Sequence, residues 1–190
     1  MSTNDATLRA TLLPRSTVRT DTALVVGGAA FIALCAQVSI PLWFTPVPLT
    51  LQTFAVLGVG AALGSVRGGA ATLLYLLAGA AGVPVYAEAS GGVSVVLGAT
   101  GGYLVGMVLA AVLVGRLAER RGLDRRVPTA VVAMLAGDVV VLGVGTGWLA
   151  AVLDVSLGRA VALGVAPFVL VEVLKVAAAG LRRRRWNGRS

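Results

Sequence analysis

The sequence predicts an all-α, polytopic membrane protein with six transmembrane helices and both termini on the cytoplasmic side. Three observations lead there. Hydrophobic residues make up 57% of the 190-residue chain and charged residues 13%, about half the ~25% of an ordinary soluble domain. That leaves too little polar surface for a soluble fold of this length. The apolar residues also fall into six runs, separated by turns or glycine-rich connections. Finally, with the N-terminus inside and six spans, fourteen of the sixteen cations lie in inner segments. Only Arg159 lies in an outer segment and only Lys175 within a span. Such an excess of arginine on one side orients membrane helices, and five or seven spans would place one cluster on the wrong side.

The first 22 residues form a polar N-terminal segment carrying Arg9, Arg15 and Arg19. It lacks the apolar core of a cleavable signal sequence. The membrane domain covers 23–181. Its first helix is expected over 23–40, followed by the turn "PLWFTPVP". The second covers 49–63, and "GSVRGG" turns the chain into a third over 70–83. Proline suits the positions just before and at a helix start, which accounts for Pro46 and Pro48. The connection "PVYAEASGGVSVVLGATGG" leads to a fourth helix over 103–117. After the charged stretch "AERRGLDRR" comes a fifth over 127–144. The connection "GTGWLAAVLDVSLGRAVALGVA" leads to a sixth over 167–181, and a basic tail covers 182–190. The third and sixth runs are short against the ~20 residues that cross a bilayer. Short runs suit helices that stop part-way and open onto a cavity.

The remaining composition excludes several function classes. A net charge of +8 suits nucleic acid in general, but here the arginines sit at the ends of apolar runs. Cys35 is the only cysteine and there is no histidine, so no intramolecular disulfide, metal cluster or histidine base is available. No phosphate-binding G-x-x-x-x-G-K-[ST] loop occurs, so this chain does not hydrolyse ATP by itself. A membrane enzyme using Glu172, Asp138 and Lys175 as acid–base groups lacks a nucleophile. A purely structural membrane module leaves those charges unexplained.

Ionisable residues within a span are functional candidates, because burying each costs roughly 2.5–3.5 kcal/mol on insertion scales. Asp138 lies in the fifth helix, and Glu172 and Lys175 lie in the sixth. At i and i+3, Glu172 and Lys175 share one helix face. A self-neutralising pair is one reading. A binding site for a ligand with N–H donors and a carbonyl is the other, favoured because apolar residues would replace an idle pair without loss. Gln52 and Asp138 suit either a helix–helix hydrogen bond or the same site. Gly91, Gly92, Gly101 and Gly102 suit loop joints or a close backbone approach to a ligand. Trp43, Phe44, Tyr86, Tyr103 and Trp148 suit an interfacial aromatic belt or stacking on a ligand. Ala29 and Ala33 form a small-xxx-small pattern that permits close helix packing.

The segments "TPVPLTLQTFAVL", "GSVRGG", "LYLLAGAAGVPVYA", "GGVSVVLGATGGYLVG" and "GVAPFVLVEVLK" together resemble the BioY family. These are the biotin-binding substrate-capture (S) subunits of energy-coupling factor (ECF) transporters, and the resemblance covers about 23–180. It implies a non-enzymatic, multi-pass protein of the prokaryotic cell membrane that binds biotin from the outer side. It also implies partners: a transmembrane coupling subunit and two ATP-binding subunits, with no cofactor in this chain and ATP used by the partners alone. The substrate-binding residues it implies are Gln52, Tyr86, Glu88, Gly91, Gly92, Tyr103, Asp138, Glu172 and Lys175. Glu172 would accept from a ureido N–H and Lys175 would donate to the ureido oxygen, or to the valerate carboxylate in an alternative pose. Ala29 and Ala33 would touch the coupling subunit. The sequence departs from the family pattern at Glu172, where aspartate is usual, at Asp138, where asparagine is common, and at Glu88, where a small or amide residue is usual. A relative of the same fold for another small vitamin, or a solitary biotin carrier, are the alternatives.

Overall fold

The computed structural model describes the backbone of residues 17–121 and 127–168, and the side chains of these except 120, 121 and 127–129. The described chain is almost wholly helical. Helix α1 spans Val18–Ala36, starting five residues before the expected boundary. Thr17 and Thr20 close a capping box and Asp21 lies in the first turn, so polar residues that looked like a tail supply the start signal. Its end comes at Ala36 because Ser39–Ile40 (β1) pairs antiparallel with Leu49–Thr50 (β2). This two-residue ladder closes the proline-rich turn.

Helix α2, Gln52–Ala80, contains one non-helical residue, Gly64, at φ 84°, ψ 179°. That region is essentially restricted to glycine. The chain reverses there. Gly60 and Gly68 would be about 12 Å apart along a straight helix, yet a Cβ built on Gly68 would lie 2.8 Å from the Gly60 Cα. The limbs 52–63 and 65–80 therefore pack side by side, as the expected second and third helices do. The turn is tighter than expected, because one glycine makes it and residues 65–69 are already helical.

The 3₁₀ turn Ala87–Ala89 and the short helix α3, Val93–Leu97, follow within the glycine-rich connection. Helix α4 spans Gly101–Arg121 and helix α5 spans Val127–Leu153. Helix α5 runs nine residues past its expected end. The stretch "GTGWLAAVL" continues the helix, since Gly145 packs its backbone on the Tyr103 ring and Leu149 is fully buried. Ser156 caps helix α6, Leu157–Gly164, by accepting from the Arg159 N–H. The expected sixth span, 167–181, lies outside the described residues apart from its first two.

Small residues set the packing. Gly28 of α1 lies on Ala71 and Val59 of α2, Gly60 on the backbone of Ala111 in α4, and Gly106 of α4 on the backbone of Val141 in α5. The core is correspondingly fine-grained: Ile32, Ala36, Ala55, Val56, Ala71, Ala110, Ala111 and Val114 are buried. Large apolar side chains point outward instead, among them Phe31, Leu34, Phe54, Val132 and Val139. That distribution suits a lipid solvent, in which close packing rather than apolar burial holds helices together. Four of the described helices are long and apolar enough to cross a membrane if Gln52–Ala80 is counted as one; taken as two limbs about Gly64, α2 leaves α1, α4 and α5 as the unbroken helices of that length.

One end of the bundle is fastened by charge. Glu119 of α4 accepts from the Ser65 N–H at 3.0 Å and from its hydroxyl at 2.8 Å. These bonds satisfy an orphan donor where the second limb of α2 begins, and they place a carboxylate at the positive end of that limb. Arg67, two residues on, pairs with Asp21 of α1 at 2.6 Å. Glu119→Ala should cost about 1 kcal/mol, the usual worth of an N-terminal cap, and lower the melting temperature by a few degrees. Asp21→Asn should change it by less, since Asp21 is 42% exposed and exposed pairs contribute about 0–1 kcal/mol. Thermal melts of both variants in one detergent check the order.

Candidate functional site

The opposite end of the bundle gathers most of the candidate residues. Gln52 opens α2 and is buried, and its Nε2 donates to the Met107 Sδ at 3.1 Å. Tyr75 comes back to the same level on the second limb. Its ring meets that of Tyr86 edge to face, with centroids 5.5 Å apart. The Tyr75 hydroxyl sits beside Gln52 in a buried position without a hydrogen bond of ordinary geometry.

Tyr86 is fixed by its surroundings. The ring lies directly over Gly79, where any Cβ would overlap it, and its hydroxyl donates to the Leu76 carbonyl. Burial pushes the phenol above its ordinary value of 10.0, so it stays a neutral donor at physiological pH. Gly91 and Gly92 follow. A Cβ on Gly91 would lie 2.5 Å from the Val83 carbonyl oxygen, and the Gly92 N–H donates to the Gly79 carbonyl at 2.7 Å. Gly92 has φ 99°, ψ 162°, a glycine-only conformation. Both glycines are thus required by the backbone path. Between them and Tyr86 stands Glu88, exposed and left-handed at φ 58°.

Tyr103, near the start of α4, is buried. Its ring packs on the Gly145 backbone and stacks on Phe168 at 6.5 Å, and its hydroxyl donates to the Gly164 carbonyl. Tyr103 and Met107 are i and i+4 on one helix face, which joins this group to Gln52. Two more bonds tie the connections together: the Thr45 hydroxyl donates to the Leu163 carbonyl at 2.7 Å, and the Trp148 indole donates to the Gly98 carbonyl at 2.9 Å. Trp43, 96% exposed with Phe44 edge-on beside it, suits the expected interfacial position. Trp148 and Tyr103 are instead packing elements of the bundle end.

Gln52, Tyr86, Glu88, Gly91, Gly92 and Tyr103 therefore share one end of the bundle. Asp138 lies deeper in the bundle than Tyr103. It is half-buried in α5, seven residues or about 10 Å along the helix from Gly145, the residue that faces Tyr103. Glu172 and Lys175 lie outside the described residues. The surface expected of Ala29 and Ala33 needs correction. Ala29 is buried in the core and Ala33 is half-buried against it, because this side of α1 packs on α2. Helix α1 turns Val26, Gly27, Ala30, Phe31 and Leu34 outward.

Two residues that sequence reading passed over belong to the site. Tyr75 was hidden in "LYLLAG" as one more apolar residue, although a phenol at depth needs a partner. Gln37 was absorbed into the first apolar run, although an amide there carries the same signal that marked Gln52.

The pattern of the BioY family matches residues 6–189. A biotin transporter BioY of Rhizobium etli is 35% identical over 162 residues, covering 82% of this chain and 86% of that protein. A biotin transporter BioY of Thermotoga maritima is 37% identical over 155 residues, covering 80% and 86%. Its namesake from Rhodobacter capsulatus is 37% identical over 169 residues, covering 82% and 86%. A solved structure, described as the S-component for biotin from an ECF-type ABC transporter, superposes with a TM-score of 0.73. It covers 90% of this chain and 95% of that one at 22% identity, a likeness of fold. The described spans mark an integral membrane protein, and the match across nearly the whole length shows that the chain belongs to the BioY family.

Proposed function

We propose that this chain captures biotin from the outer side of the prokaryotic cell membrane and hands it to an ATP-driven energy-coupling module. The observation that carries the reading is family membership over residues 6–189, with relatives named as biotin transporters. The site geometry agrees. Aromatic and amide side chains gather at the bundle end opposite the Asp21, Arg67 and Glu119 cluster, and the arginine-rich segments put that cluster on the cytoplasmic side.

In this reading six helices span the membrane with both termini inside. The two limbs of α2 are the second and third, and the last is 167–181. Glu172 accepts from a ureido N–H of biotin and Lys175 donates to its oxygen. Tyr75, whose buried hydroxyl sits beside Gln52, and Gln52 supply further polar contacts, and the rings of Tyr86 and Tyr103 wall the apolar bicycle. Asp138, at mid-helix, lies deeper than this group. A transmembrane coupling subunit docking on α1 meets Gly27, Ala30, Phe31 and Leu34, and two ATP-binding subunits supply the nucleotide chemistry. The chain itself has no enzymatic role and needs no cofactor.

Thermal melts of the purified protein with a panel of vitamins test this. Biotin at a hundred times its dissociation constant should add about 2.7 kcal/mol to the folded state and raise the melting temperature by several degrees. A shift with another vitamin and none with biotin would overturn the ligand assignment. Uptake of labelled biotin in cells without any coupling subunit would show a solitary carrier.

A further inference from the structure

Gln37 follows the last residue of α1 and reaches across to the connection that carries Tyr86 and Glu88. Its Nε2 lies 3.1 Å from the Ala33 carbonyl oxygen and 3.2 Å from those of Val85 and Tyr86. Its Oε1 accepts from the Ala89 N–H at 3.1 Å. The orientation of the amide is dictated by these partners. Flipped, its oxygen would face three carbonyls and its NH₂ would face an N–H. One side chain thus holds the segment 85–89 at both ends and fixes it to α1.

That segment needs holding. Glu88 and Ala89 are both left-handed, at φ 58° and 53°, a conformation that L-residues other than asparagine and aspartate rarely adopt. Within the segment, Ser90 donates twice to the Ala87 carbonyl and accepts from the Tyr86 N–H. Those bonds close the loop on itself without fixing where it sits. The anchor to the bundle on the α1 side is Gln37.

We propose that Gln37 is a positioning residue of the ligand site. It holds 85–89 so that Glu88 stands at the bundle end next to Tyr86, and it makes the placement of Glu88 depend on the end of α1. This rests on the biotin reading above, since the segment matters to binding only if the ligand sits at this end of the bundle.

The test is Gln37→Met, which keeps the length and flexibility of the side chain and removes its hydrogen bonds. Gln37 is exposed, so the variant should fold and melt within a degree or two of the parent. Biotin affinity by calorimetry should fall about tenfold, a modest return for several partly exposed hydrogen bonds. Dissociation should be correspondingly faster, and amide exchange in 83–92 should rise. Ala89→Gly in the same background should recover at least a third of the lost affinity in logarithmic terms, because glycine enters the left-handed region freely.

Parent-like affinity in Gln37→Met, while the parent binds biotin, overturns the proposal and leaves the biotin reading intact. Weaker binding with an equal fall in melting temperature and no recovery by Ala89→Gly also overturns it, as a general loss of stability. A parent protein that gives no binding heat with biotin overturns the functional reading and this inference with it.

Discussion

Alanine at Lys175 should lower the affinity of the purified protein for biotin by two to three orders of magnitude, read by calorimetry. Lys175 is the only lysine of the chain and lies three residues after Glu172 in the last apolar run. On the proposed reading Glu172 and Lys175 are an intramembrane pair, and removing one member of such a pair leaves the other charge uncompensated, typically at about 3–5 kcal/mol. On that reading the loss is joined by the missing hydrogen bond to the ligand. Stability and binding are separable through the double variant Glu172→Ala, Lys175→Ala. With both charges gone the helix inserts without penalty, so the melting temperature should return to that of the parent or rise above it. Affinity should stay low. A double variant that binds biotin like the parent would show that the pair serves insertion alone, and would sink the assignment of both residues to the ligand.

The second large effect is expected on folding. A Cβ at Gly115 of α4 would stand 2.3 Å from the Ser65 nitrogen and 2.5 Å from the Gly64 carbonyl carbon. Both are backbone atoms of the reversal in α2, so neither can swing aside. Glu119, one turn further along the same face of α4, holds that reversal through Ser65. Gly115→Ala must therefore push α4 away from the turn and stretch the carboxylate bonds together. Overpacking costs about 1–3 kcal/mol and the lost cap about 1 more. At roughly 2–4 °C per kcal/mol for a chain of this size, the melting temperature should fall by about 10 °C. Gly27→Ala is the control. A Cβ there meets nothing within 4 Å, and the variant should melt within a degree of the parent. Equal melting of the two variants would contradict the packing described at Gly115.

Much of this architecture was legible in the sequence, for reasons that differ by element. The apolar runs record the solvent around each helix, so the positions of the first five expected helices could be read, while the short helices α3 and α6 lay hidden in the connections. Helix ends were harder. Thr17 and Thr20 cap α1 through side-chain bonds inside a segment whose polarity argued for a tail. Gly145 of "GTGWLAAVL" sits within α5 because Tyr103 fills the space that its side chain would occupy, a contact between distant parts of the chain. The candidate site divides in the same way. Gln52 and Tyr86 were marked by residue type and proved to be neighbours of Tyr75. Ala29 was marked by spacing, which says that something packs closely there and not what; the close neighbour is α2 of the same chain. Gln37 could not be read as a clasp, since its role depends on residues roughly fifty positions away.

The reversal at Gly64 also bears on the membrane around the protein. The limb 65–80 is about 24 Å long at 1.5 Å per residue, while the hydrocarbon layer is ~30 Å thick. Val66, Leu73 and Leu77 are exposed along this limb, an apolar flank suited to lipid tails. If this limb is a span of its own, as the proposed six-span arrangement has it, the bilayer pinches inward there, at a cost of a fraction of a kcal/mol per ångström of mismatch. Lipids with shorter chains relieve that deformation and longer chains aggravate it. Acyl-chain length thereby becomes a variable that acts on this flank of the protein, and a reason for it to partition into the thinner regions of its membrane.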